Sequence, residues 1–367
     1  MFKQFGANDI SQPIEKIITK GMFNGAGTLD GASMATQSIA SGQKDYYLTV
    51  TSTSSSIAIP HFDVGYGHSG GSGSVTTTDL DNIVYGPSQA VYKQCAALTL
   101  HGEDRIFQFT SGSDQHDVYV FSAKRSSTLE RINAGYWTLE LSGSSTAGTK
   151  TTLKLTDDSL VNDGEGTIAA GIRYYVYSGS NGSLSGSTAN GDFNHDGTAA
   201  TIYGFCYPDI GLIVLDANAV SSSLGGTHAN IASPTGSGTY AIPLNNGMTP
   251  DLRVDGYANN ALRFVSALKK GSVTMRSEQI TRTVQHYVRI RNDEFNWSVH
   301  PSYVTGALGT DDAGTIIDEM KYNPQTFITT VGLYDGGSDT PVAVARLSKP
   351  LQNSFELESI IKVNLEY

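Results

Sequence analysis

Three features of this 367-residue sequence predict a mainly β protein, made of antiparallel sandwich-like domains with long Gly/Ser loops and a few short helices. Short runs of β-branched and aromatic residues recur along the chain. Clusters of Gly, Ser, Asn and Asp separate them, supplying positive φ and side-chain turns. Glycine is 40 of the residues, above the usual ~7%, while charged residues are only 16% against a usual ~25%. Finally, residues 327–335 and 341–350 flank a Gly336-Gly-Ser-Asp339 connection as a hairpin. Residues 360–367 then alternate Ile361, Val363, Leu365 and Tyr367 with Lys362, Asn364 and Glu366, the pattern of a half-buried strand.

Taken in order, residues 14–20 carry Ile14, Ile17 and Ile18 at helical spacing and stop at Gly21, which predicts a short helix. Strands are expected at 46–51 and 57–60, and residues 68–81 read as a loop. Pro87 and Ser88 open a helix to Leu98, with Val91, Cys95 and Leu98 on its buried face. Strands follow at 106–109, 118–121, 137–141, 152–155, 172–177 and 211–215, with long surface loops between 142 and 204. Residues 260–271 predict a helix: Asn260 caps it, Leu262, Val265 and Leu268 form its apolar face, and Gly271 ends it. Beyond it the chain is strand-dominated, with residues 284–290 alternating. The organisation expected is a mixed region over 1–100, a β-rich region with a Gly/Ser-rich insert over 101–225, and a β-rich region over 226–367.

The formal charge of −11 and the lack of a basic stripe argue against a sequence-independent nucleic-acid binder. Arg276, Arg282, Arg289 and Arg291 are interleaved with Glu278, Asp293 and Glu294, the spacing of ion pairs between strands or subunits. Cys95 and Cys206 are too few for a disulfide-stapled secreted fold. With no signal-like leader and no run of ~18 apolar residues, folding in a reducing cytoplasm without membrane insertion is expected.

One loop fits two enzyme patterns. Gly65-Tyr-Gly-His-Ser-Gly70 matches G-x-G-x-x-G, and Gly67-His-Ser-Gly-Gly71 matches the G-x-S-x-G nucleophile elbow of Ser69. Both patterns need a helix to begin there, and residues 72–79 are a poor helix, so a flexible loop is the expected reading. Asp192-Phe-Asn-His-Asp-Gly197 matches the first half of a calcium loop, with Asp192, Asn194 and Asp196 as oxygen ligands; Tyr203 stands where the bidentate glutamate belongs. A turn is the competing reading of those residues. The eight histidines lack zinc spacing, and the carboxylate pairs Glu103-Asp104, Asp157-Asp158 and Asp311-Asp312 read as loop-borne. No catalytic residue and no cofactor other than calcium is expected.

The closing hairpin and terminal strand resemble the C-terminal part of large virion structural proteins of T4-like marine myoviruses, such as cyanophages. Blocks in the same order extend the resemblance over most of the chain: Tyr66-Gly-His-Ser-Gly-Gly-Ser-Gly-Ser74, Tyr85-Gly-Pro-Ser-Gln-Ala-Val-Tyr92, residues 123–141, Tyr207-Pro-Asp-Ile-Gly-Leu-Ile-Val-Leu215, and Met275-Arg-Ser-Glu278 through Phe295-Asn-Trp297. The chain departs from the family pattern at Ala134 and in the insert near 178–200. The resemblance implies a non-enzymatic structural subunit of a contractile-tailed particle, in the baseplate or the tail and neck. It would be assembled in the host cytoplasm with other virion proteins and present in symmetric multiple copies. A capsid decoration protein, or a module binding host-surface glycans through its 19 tyrosines, are the alternative expectations.

Overall fold

The computed structural model describes residues 3–367 apart from 7, 24–26, 37–46, 53–58, 72–86, 102–104, 111, 145–149, 168–169, 186–200, 225–259, 307–313 and 337–339. It is mainly β and antiparallel, with short helices, as the sequence predicts. The chain divides into two compact units, residues 18–279 and residues 1–17 with 280–367. The sequence suggested three consecutive regions. Pairing of residues 62–68 with 117–123, and of 131–140 with 272–278, crosses both of their expected borders.

In the larger unit the strands are β2 (Thr28–Asp30), β3 (Met34–Thr36), β4 (Tyr47–Ser52), β5 (Ile59–His68), β6 (Asp117–Ala123), β7 (Arg131–Ser144), β8 (Lys150–Asp157), β9 (Glu165–Thr167), β10 (Gly171–Ser180), β11 (Ser183–Leu184), β12 (Gly204–Tyr207) and β13 (Leu212–Asp216). The first half of β14 (Ser272–Ile290) completes the set. Their order is β14-β7-β8-β10-β12-β13-β6-β5-β4-β3. β2 pairs with β14 at one end of this order and β3 with β4 at the other, and only the turn Gly31–Ser33 separates β2 from β3. The sheet therefore curls back on itself. Its inner face holds α3 (Asn260–Lys269), whose Ala261, Phe264, Val265 and Leu268 are buried with Leu48, Val50, Phe62, Tyr119, Leu139 and Met275. Gly31 permits the approach, because a Cβ there would lie 1.8 Å from the Lys269 carbonyl.

On the outer face α1 (Pro87–Thr99) covers a second core of Phe107, Phe109, Phe205, Tyr207 and Val214. β12 and β13 are consequently buried on both sides, which explains why their sequence is a continuous apolar run rather than an alternation. The buried face of α1 is Tyr92, Cys95, Ala96 and Thr99, not Val91, Cys95 and Leu98; Leu98 is 51% exposed. Tyr92 turns inward because its hydroxyl donates to Gln115 O (2.6 Å) and accepts from the Phe107 amide (3.0 Å). Residues 106–109 form one bridge, Phe107 to Gln115, rather than a strand. α2 (Ala217–Ser223) is capped by the Asp216 carboxylate, which accepts from the amides of Asn218 and Ala219.

The smaller unit pairs the second half of β14 with β19 (Ser359–Glu366), in register from Thr283–Glu366 to Ile290–Ser359. The hairpin of β17 (Thr326–Tyr334) and β18 (Pro341–Asn353) is present as predicted, and Ile328, Val331, Leu333, Ala343 and Leu351 pack with Ile290, Ile361 and Val363. β15 (Val304–Thr305), β16 (Thr315–Ile316) and α4 (Asp318–Tyr322) lie in the connection. The closing strand is half-buried through Ile361 and Val363, but Tyr367 is 70% exposed. Residues 14–20 correct the sequence reading: β1 (Ile14–Gly21) is a strand beside β14. Its three isoleucines and a threonine are β-branched, and pairing with β14 overrides a helical spacing that buries nothing, since Ile14, Ile17 and Ile18 are all exposed.

Candidate functional site

The turn that fits two enzyme patterns sits where β5 and β6 end, and the structure does bring a serine to a histidine there. Ser69 Oγ and His116 Nδ1 are 2.7 Å apart, and the Ser69 amide donates to His116 O at 2.9 Å. This contact continues the ladder one step beyond the His68–Asp117 pair. Asp117, nearly buried, accepts from the Tyr66 hydroxyl at 2.5 Å, while its second oxygen lies 3.5 Å from Asn218 Nδ2. His68 Nε2 lies 3.9 Å from the same carboxylate, and His68 Nδ1 accepts from the Gly70 amide at 2.9 Å. Burial lowers the His68 pKa against the pull of Asp117, so its imidazole is neutral near pH 7. Burial likewise raises the Tyr66 hydroxyl well above its ordinary value.

A nucleophile elbow needs amide donors free beside the serine and a carboxylate behind its histidine. Here the Gly70 amide is spent on His68 Nδ1 and the Gly71 amide on His68 O. The carboxylate of this corner, Asp117, faces His68 rather than His116. The glycines have packing and turn reasons of their own. A Cβ on Gly67 would sit 2.9 Å from the Tyr92 amide nitrogen, so Gly67 lets α1 rest on β5, and Gly71 adopts φ +84°. The Gln89 amide donating to Ser69 O (3.0 Å) ties the same turn to α1. The group is a polar clasp joining β5, β6 and α1.

Asp157 and Asp158 are not loop-borne; both are buried at the end of β8. Asp157 accepts from Trp137 Nε1 (2.6 Å), the Gly135 amide (2.7 Å) and Ser159 Oγ (2.8 Å). Burial still pushes its pKa up. Asp158 accepts from the Tyr175 amide (3.0 Å) and Asn162 Nδ2 (2.7 Å), and burial pushes it up to about 6. These bonds lock Trp137 and the Gly135 bulge into the sheet. Asp311-Asp312 and Glu103-Asp104 lie outside the described residues, as do Asp192, Asn194 and Asp196. Among the described residues no group of three or more His, Cys, Asp or Glu side chains has metal-holding geometry. Cys95 and Cys206 are buried free thiols.

Of the clustered arginines, Arg282 pairs with Glu15 (2.9 Å) and Arg289 with Asp9 (3.0 Å), within the smaller unit. Glu278 instead pairs with Arg131 (2.6 Å), which also reaches Asp209 (3.3 Å).

Sequence reasoning missed how much apolar surface the smaller unit leaves uncovered. Phe327 (62% exposed), Val342 (70%), Val344 (61%) and Ile360 (63%) all sit on its strands, and Trp297 and Val299 are exposed nearby in sequence. Their alternation with inward residues was the available signal. A continuous apolar run such as Val342-Ala-Val-Ala345 puts apolar residues in both phases and marks a strand with two apolar faces. No helix of the described residues is long and apolar enough to cross a membrane. No family model, no curated protein and no solved structure matches the chain.

Proposed function

We propose that this chain is a structural subunit of a contractile-tailed phage particle, in the baseplate or the tail and neck, acting through protein–protein assembly in symmetric multiple copies. The observation that carries the reading is the smaller unit's hairpin. It buries one face on β14 and β19 and presents Phe327, Val342 and Val344 to solvent on the other. Scattered exposed apolar residues are ordinary, but several on one short sheet are typical of a contact surface. The spent amides around Ser69 support the non-enzymatic side of the reading, and the block-wise sequence resemblance supplies the particle.

The test is mass spectrometry of purified particles with heads and tails separated. The reading expects the chain in the tail fraction at several copies per particle. Recovery with heads alone would favour capsid decoration, and absence from both fractions would reject a virion role. Specific binding of the isolated chain on a glycan array would favour the host-recognition alternative.

A further inference from the structure

We propose that the open edge of β17 pairs, antiparallel, with β17 of a second copy of the chain. The proposal deepens the multi-copy reading above and rests on it. Among the described residues of the smaller unit, four strands longer than two residues have a neighbour on one side only: β1, β17, β18 and β19. Free strand edges template unwanted pairing, so proteins blunt them with charge, proline or bulges. Three of the four edges follow that rule. β1 carries Glu15 and Lys16, β18 carries Arg346 and Lys349 with Pro341 and Pro350, and β19 carries Lys362 and Glu366.

β17 does not follow it, because in both register shifts of its ladder with β18 the extra residues lie on β18. Thr326-Phe-Ile-Thr-Thr-Val-Gly-Leu-Tyr334 holds no charge and no proline, and five of its nine residues are β-branched. That composition favours strand addition. The packing of Ile328, Val331 and Leu333 in the unit's core holds the strand in place, so its far edge is presented ready-formed. The occupant follows from the chemistry. An uncharged strand meets no like charge when it pairs with itself, whatever the register. Two-fold pairing covers both unprotected edges in one contact and closes, whereas a head-to-tail contact would leave one edge open at each end. The prolines and cations of β18 make it the poorer partner.

Sedimentation equilibrium of the full chain over about 1 to 100 µM tests this, with Thr329→Lys in mid-β17 and Val342→Lys on the exposed face of β18 as the control. Thr329 and Val342 are both exposed, and melting curves establish that each variant folds. The expected result is a wild-type dimer weakened at least about tenfold by Thr329→Lys and no more than about twofold by Val342→Lys. Should Thr329→Lys fail to fold, hydrogen exchange on the wild type substitutes. Amides of residues 326–334 must slow as concentration rises through the dimer Kd. A wild type monomeric throughout overturns the proposal, as does a Thr329→Lys dimer of unchanged strength, equal weakening by Val342→Lys, or exchange in 326–334 that ignores concentration. A monomer would leave the subunit reading itself to the particle measurement above.

Discussion

The two units solve the same problem in opposite ways. In residues 18–279 the sheet closes through the turn Gly31–Ser33, a helix fills its inner face, and a second helix with aromatic residues covers strands on the outer one. Asp157, which enters that unit's interior, meets three donors. In the smaller unit, two small strand pairs share one modest core and leave their remaining apolar residues in water. The larger unit thus covers its own apolar strands, whereas the smaller leaves part of its apolar surface exposed.

Deleting residues 360–367 breaks that contrast most severely. It removes all but one pair of the β19 ladder and the burial of Ile361 and Val363, worth about 1.5 to 3 kcal/mol each. The smaller unit should lose its cooperative melting and the chain should fail to assemble, while near-ultraviolet dichroism of Trp137 in the larger unit persists. A truncated chain that melts and assembles normally would show β19 to be dispensable.

Phe264→Ala sharpens the other side, because Phe264 is fully buried and its ring lies 4.7 Å from that of Tyr119. Urea unfolding should show a loss of about 3 to 5 kcal/mol in the larger unit.

Next in size is a pH effect. The folded-state pKa of Asp158 is raised to about 6, above its ordinary 3.8, so between those values the folded chain keeps a proton that the unfolded chain releases. The stability this proton contributes is complete below the ordinary value and is lost as pH rises through about 6. Asp158→Asn should therefore gain on the wild type between pH 4 and 7, by up to about 3 kcal/mol in denaturant titrations. A pH-independent difference would contradict the buried, ionising carboxylate. The smallest effect expected is from Val344→Ala, within about 0.5 kcal/mol for the isolated chain, because Val344 faces solvent.

Much of the fold was legible because local chemistry and tertiary packing agree. The β17–β18 hairpin, α3 with its terminal Gly271, and most strands between 118 and 215 follow from turn residues and β-branched runs. It failed where long-range pairing decides. β1 has helical spacing yet becomes a strand because β14 offers it a ladder, and α1 rotates to bury Tyr92 because Gly67 opens a seat opposite it. The candidate site was less legible. The motif around Ser69 is visible in sequence, but that its amides are spent on His68 depends on a turn geometry the sequence does not specify. The exposure of Val342 and Val344 depends on which face of the hairpin meets β14 and β19.

Lysine reactivity, compared between the free chain and purified particles by mass spectrometry, tests most directly whether the smaller unit is the assembly surface. Lys349 and Lys362 lie on exposed positions of its strands, and Lys154 is exposed on β8 of the larger unit. Assembly should suppress modification of Lys349 and Lys362 several-fold while leaving Lys154 reactive. Equal reactivity of Lys349 and Lys362 in the two states, or protection confined to Lys154, would contradict it.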